Sequence, residues 1–226
     1  MTGRPPQSQG SYDTDRGIWY QVAAGDFAHR AALFLDRDGV IVEDTRYLGK
    51  PENVRMLPGA ADAIARCNAL RIPVVLVSNQ SGIARRYYDW DGFHAVQAAL
   101  VGALQNAGAR LDAIFACAYH ADGSARLNVG DHPWRKPNPG MILSAVEHMK
   151  LDPARSWIVG DRNSDIAAGR AARLRGGILL SRAEQTLLSD ATARHQSEEF
   201  RQEIADSLSD AVSLLLARGN LAPPAG

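Results

Sequence analysis

A doubly wound α/β domain on a mainly parallel sheet is what the sequence predicts, and three observations predict it. Short apolar runs alternate with longer segments of helical period. Polar residues able to do chemistry gather just after those runs. No insertion long enough for a second, capping domain interrupts the series. The runs are AALFL (31–35), VVLVS (74–78), LDAIFAC (111–117), SWIVG (156–160) and GGILLS (176–181). Each is short and apolar nearly throughout, as strands covered on both faces must be.

The intervening segments read as helices. Gly59–Leu70 carries Ala60, Ala63, Ile64 and Cys67 on one face, and Asp89–Asn106 carries Phe93, Val96, Leu100 and Leu104. Asn138-Pro139-Gly140 offers an N-cap and a first-turn proline to a third helix ending near Lys150. A fourth opens at Asn163 or Ser164 and ends near Arg173. Phe200, Ile204, Leu208, Val212 and Leu215, at roughly fourfold spacing, predict a last helix over 199–217. Strand and helix in alternation imply right-handed crossovers and a Rossmann-like sheet. Residues 1–28 are expected to be a partly disordered tail, 29–218 the domain, and 219–226 a second tail. The stretch from His120 to Pro137 lacks periodicity, and a loop of that length in a compact domain usually serves function.

Composition narrows the function classes. Twenty-five basic residues balance twenty-five acidic ones for a net charge of +0, which excludes binding to nucleic acid or membrane by bulk electrostatics. Two cysteines cannot form a disulfide framework. No run approaches ~18 consecutive apolar residues, and the N-terminus lacks an apolar signal core. A cytoplasmic monomer is expected, with a small molecule as its partner and neither nucleic acid nor membrane.

Doubly wound sheets bind ligands beyond the carboxyl ends of their strands. There the sequence places Asp36-Arg37-Asp38-Gly39, Ser78-Asn79-Gln80-Ser81-Gly82, Arg135-Lys136-Pro137 and Gly160-Asp161-Arg162-Asn163-Ser164-Asp165. In extended chain Asp36 and Asp38 point the same way and Arg37 points elsewhere. With Asp161 they form an oxygen-only donor set suited to Mg²⁺. Ser78 supplies a hydroxyl for an anion and Lys136 a fixed positive charge. Metal, lysine and hydroxyl on one centre suit a transferring phosphoryl group, and a carboxylate can take that group as an aspartyl-phosphate. The pattern GxxxxGK[ST] is absent, so no nucleotide-cradling P-loop is expected.

The spans FLDRDGV, VSNQSG, RKPNPG and VGDRNSD, in that order, resemble the four motifs of the haloacid dehalogenase-like hydrolases. LFLDRDGVIVED, VSNQSGIAR and RKPNPGM are similar to the D-glycero-D-manno-heptose 1,7-bisphosphate phosphatases and the histidinol-phosphate phosphatases. The resemblance covers about residues 31–181. It implies Asp36 as nucleophile, Asp38 as general acid and base, Ser78 as phosphate-binding hydroxyl and Lys136 as the lysine. It further implies Mg²⁺ held by Asp36, the backbone carbonyl of Asp38 and Asp161, with Asp165 steadying that shell. Asp44, Thr45, Arg46, Tyr47, Asn79, Gln80, Ser81, Arg135 and Arg162 would line the substrate pocket.

One departure stands out. Heptose bisphosphate phosphatases typically carry a zinc loop of pattern Cys-x-His…Cys-x-Cys before the Arg-Lys pair. Here only Cys117 is in place; His120 comes one position late, and His132 and Trp134 replace cysteines. The loop is therefore expected to be zinc-free. The expected activity is Mg²⁺-dependent hydrolysis of a small phosphorylated metabolite, a sugar bisphosphate first. The alternatives are histidinol phosphate, or a catalytically silent domain that binds a phosphometabolite.

Overall fold

The computed structural model describes residues 9–13, 17–181 and 200–221. Its centre is the three-residue strand β3 (Leu33–Leu35), hydrogen-bonded in parallel to β4 (Val74–Asn79) on one side and β6 (Trp157–Gly160) on the other. All three β3 residues are fully buried, because alternate side chains face two covered layers: Leu33 and Leu35 in one, Phe34 in the other. With β1 (Gln9–Asp13), β2 (Ile18–Val22), β5 (Ala113–Cys117), β7 (Gly176–Leu180) and β8 (Arg201–Ala205), the sheet order is β1-β2-β5-β4-β3-β6-β7-β8. Strands β3 to β8 are mutually parallel, and only the β1–β2 hairpin and its junction with β5 are antiparallel.

The apolar faces read from the sequence are the buried ones. Helix α1 (Ala60–Ala69) buries Ala60, Ala63, Ile64 and Cys67 against the Leu33/Leu35 layer. Beyond the single turn α2 (Ser81–Ala84), α3 (Trp90–Asn106) buries Phe93, Val96, Leu100 and Leu104 there too. Helices α4 (Gly140–Met149) and α5 (Asn163–Ala171) cover the Phe34 face. Helices α1 and α3 thus cover one face of the sheet and α4 and α5 the other, with the change of face falling between β3 and β6, the arrangement that opens a crevice at the strand ends.

Three expectations are corrected. The segment 199–217 is not one helix: Arg201–Ala205 is β8, paired parallel to β7, and only Leu208–Ala217 is helical (α6). Ser207 separates them by accepting the Asp210 N–H at 3.2 Å, an N-cap bond. Strand β8 lies at the sheet edge, so Ile204 is left 47% exposed while Phe200 is buried. The N-terminal segment is not wholly a tail, since Ile18–Val22 pairs with β5 and brings Tyr20 onto Phe115 at 5.5 Å and 6°. Trp19, on the opposite face, meets Phe93 edge-on at 5.4 Å; aromatic pairs of this kind stabilise the added strand. Residues 1–8, 14–16 and 222–226 of the expected tails lie outside the described residues. Finally, Asn138 does not cap α4. Its amide donates to Asp131 and to the His132 carbonyl, holding the preceding loop, and the helix starts at Gly140.

Candidate active site

Strand β3 delivers Asp36 to the crevice, and its ladder continues one residue further: the Asp36 N–H donates to Val159 O at 3.1 Å. The chain then turns tightly, with the N–H groups of Ile41 and Val42 both donating to Arg37 O. Gly39 makes the turn possible with φ of +80°, and a side chain there would meet Asp161 Oδ2 at 2.2 Å. The motif glycine therefore gives Asp161, at the end of β6, room to approach the β3 turn.

Lys136 joins the strand ends. Its Nζ donates to Asp36 Oδ1 at 2.7 Å and to Val77 O at 2.8 Å, and pairs with Asp165 Oδ1 at 2.6 Å. Only 3% of the side chain is exposed. Burial alone would push the lysine down, but Asp165 and Asp36 together drive it above its ordinary value, so it stays charged. Asn79, at the end of β4, fixes it through the backbone: Oδ1 accepts the Lys136 N–H at 3.1 Å and Nδ2 donates to Lys136 O at 3.0 Å. Asp165 Oδ2 accepts the Arg162 N–H, which ties the start of α5 to the same group.

Asp36, Asp161 and Asp165 bring ligating oxygens within 4.8 Å of one another. Asp161 is pushed up to about 7 by burial and by the charges of Asp36 and Asp165. Its Oδ1 is buried without a hydrogen-bond partner. A hard dication answers both features, since it supplies the missing positive charge and an acceptor for that oxygen.

The Asp38 carboxylate is not among these clustered oxygens, although it lines the same cavity. Arg37, which alternation sends elsewhere, curls back and grips it with two bonds, Nε to Oδ1 at 3.1 Å and Nη2 to Oδ2 at 3.0 Å. Burial raises Asp38 above the usual carboxylate range while Arg37 opposes that shift.

A cavity of about 570 Å³ opens over these groups, lined by Asp36, Asp38, Asp44, Arg46, Tyr47, Asn79, Ser81, Arg135, Lys136, Pro137, Arg162, Ser164 and Asp165. Most residues expected in the pocket line it, and Ser164 and Pro137 are additions. Ser78 and Gln80 sit behind the wall: Gln80 Nε2 donates to Ser78 Oγ at 2.7 Å, and Tyr88 O–H donates to Gln80 Oε1 at 2.6 Å. Thr45 is exposed beside the cavity without lining it. Asp44 accepts from Arg162 Nη2 at 3.0 Å and from the Arg46 N–H at 2.8 Å, so it braces two rim arginines. Arg85, absent from the lining, donates to Tyr47 Oη at 2.8 Å and to Asp122 at 2.8 Å, and meets the His120 ring. It knots three loops at the rim.

The residues of the degenerate zinc loop have other engagements. Burial pushes the Cys117 thiol up to about 12. His120 contacts Arg85, His132 stacks on Tyr119 at 3.9 Å, and Trp134 packs beside Phe115. Among the described residues, Cys117, His120 and His132 do not share a cluster of ligating atoms.

The chain is similar to known phosphatases. The D-glycero-beta-D-manno-heptose-1,7-bisphosphate 7-phosphatase of Mesorhizobium japonicum is 45% identical over 169 residues, 74% of this chain and 78% of the relative. The chain belongs to the haloacid dehalogenase-like phosphatases. The family described as HAD-hydrolase-like matches residues 133–211 of this phosphatase. A crystal structure of a HAD-like phosphatase from Mesorhizobium loti superimposes with a TM-score of 0.81 at 40% identity, covering 92% of this chain and 95% of that one. The D,D-heptose 1,7-bisphosphate phosphatase of B. bronchiseptica, complexed with magnesium and phosphate, gives 0.70 at 30% identity, covering 83% and 99%. No helix among the described residues is long and apolar enough to cross a membrane.

Proposed function

We propose that this phosphatase is Mg²⁺-dependent and hydrolyses a sugar bisphosphate of the D-glycero-D-manno-heptose 1,7-bisphosphate class through an aspartyl-phosphate on Asp36. The observation that carries the reading is the buried lysine holding Asp36 beside two further carboxylates at the strand ends. The names of the relatives support the substrate class.

Asp36 attacks phosphorus, forming the O–P bond as the bond to the sugar oxygen breaks. Asp38 gives that oxygen its proton. Water then attacks the aspartyl-phosphate, its proton passes to Asp38, and the Asp36–phosphorus bond breaks to release phosphate. Lys136 orients Asp36 and offsets charge on the phosphoryl oxygens. Asp36 and Asp161, with the Asp38 carbonyl, would hold Mg²⁺, whose contribution is to stabilise charge developing on the phosphoryl group. Asp165, with one oxygen on Lys136 and the other on the Arg162 N–H, fixes that array without leaving its place. Arg46, Arg135, Arg162 and Tyr47 at the rim suit the rest of a doubly phosphorylated sugar.

The test is phosphate release with Mg²⁺ from both anomers of heptose 1,7-bisphosphate and from histidinol phosphate, with Asp36→Asn in parallel. Turnover of a heptose bisphosphate by the wild type alone is expected. Equal activity of the two proteins would refute Asp36 as nucleophile, and preference for histidinol phosphate would refute the substrate class.

A further inference from the structure

We propose that Arg37 is a positioning residue for Asp38, acting through a polar network rooted in α3. The proposal rests on the reading of Asp38 as general acid and base. Arg37 is 1% exposed, among the largest fully buried side chains of the protein, and lies between the two catalytic aspartates. A guanidinium so placed must have its donors used. Nε and Nη2 grip both oxygens of Asp38, and Nη1 donates to Gln97 Oε1 at 3.1 Å. Gln97 is itself buried on the sheet-facing side of α3, sixty residues away in the chain. The fork is therefore anchored in the rigid core rather than in the β3 turn.

The geometry fixes what Asp38 can do. A carboxylate has about four lone-pair positions. Arg37 takes two, and Gln80 Nε2, 3.4 Å from Oδ2, approaches a third. Gln80 is in turn held by Tyr88 and by Ser78. The carboxylate, 22% exposed, keeps its remaining direction for the cavity that Asp38 lines. A bidentate fork sets the plane of the carboxylate as well as its place, which a lysine at this position would not do. Proton transfer to a leaving oxygen or from an attacking water requires that plane to be right.

The test uses p-nitrophenyl phosphate, so its result does not depend on which sugar the enzyme prefers. The p-nitrophenolate leaving group needs no proton, whereas hydrolysis of the aspartyl-phosphate needs Asp38 as base. In rapid mixing, Arg37→Met should release the first equivalent of p-nitrophenol at a rate within about fivefold of wild type. Its steady-state kcat should fall on the order of 10²-fold, as loss of an aligned acid–base group does, with KM little changed. Asp38→Asn should show the same pattern, and adding Arg37→Met to it should lower kcat by no more than about threefold, because both changes remove one function. Losses that multiply, or a first turnover slowed as much as the later ones, would overturn the role of Arg37. An Asp38→Asn protein with wild-type steady-state turnover would instead overturn the acid–base reading itself. If Arg37→Met does not fold, Gln97→Leu decides. It should lower kcat at least threefold alone and add nothing to Asp38→Asn, and any other result overturns the proposal.

Discussion

Replacing Lys136 by Met removes a charge while keeping most of the side-chain volume, and so isolates the electrostatics of the site. In the native protein one ammonium group serves Asp36, Asp165 and the Val77 carbonyl, all within 2.8 Å. Without it, three carboxylates remain within 4.8 Å of one another, and only Arg162, 3.9 Å from Asp161, faces them with a positive charge. Removing one partner of a buried ion pair costs about 3–5 kcal/mol. For a domain near 200 residues each kcal/mol moves Tm by about 2–4 °C, so a fall of roughly 6–20 °C is expected at pH 8 without metal. The sign with pH follows from Asp165. Its folded pKa already lies above 3.8 because of burial, with Lys136 holding it down. Removing Lys136 raises it further, so the destabilisation is full above the variant's folded pKa and fades as the pH falls toward the wild-type folded value. Millimolar Mg²⁺ should recover part of the loss at pH 8 by supplying positive charge to the same oxygens. Calorimetric scans at pH 5 and 8, with and without Mg²⁺, read all of this. A variant melting within 2 °C of wild type at pH 8 without metal would refute the argument.

Two further outcomes follow from the same cluster. Asp161, raised to about 7 by burial and by Asp36 and Asp165, must give up its proton for Mg²⁺ to bind. Apparent Mg²⁺ affinity should therefore fall about tenfold per pH unit below 7 and level off above it; a flat profile in calorimetric titration from pH 5.5 to 8.5 would refute this. Gly39→Ala places a methyl 2.2 Å from Asp161 Oδ2 at a φ of +80°, so Asp161 must move. Mg²⁺ affinity at pH 8 should drop at least tenfold, and wild-type affinity in that variant would show that Asp161 is no ligand.

What the sequence made legible depended on whether the cause was local. Strands β3 to β7 stood out because both faces of each are covered, which leaves uninterrupted apolar runs. Strand β8 did not, because RQEIA is an edge segment whose Phe200–Ile204–Leu208 spacing also fits a helix; pairing with β7 decides the matter. Strand β2 was missed although Ile18, Trp19, Tyr20 and Val22 carried a strand signal, since the polar residues before it dominated the segment. In the site, the positions of Asp36, Asp161 and Lys136 followed from the strand-end rule and the motif resemblance. Arg37 was misdirected because alternation fixes only Cβ, and a side chain of three methylenes can turn its guanidinium back. Gln97 could not be found at all: it enters through the packing of α3, and nothing in its local sequence marks it.

The knot made by Arg85 bears on the timing of turnover. It binds the loops of Tyr47, His120 and Asp122 to one another at the mouth of the cavity. No cap domain stands over that mouth among the described residues. An enzyme that swallows its substrate beneath a hinged lobe must wait for the lobe to swing away before phosphate escapes. Here the doorway is a stiff frame. With the rim arginines holding the product as proposed above, its release would be a matter of breaking those contacts, and ionic strength rather than viscosity should govern how fast the site clears.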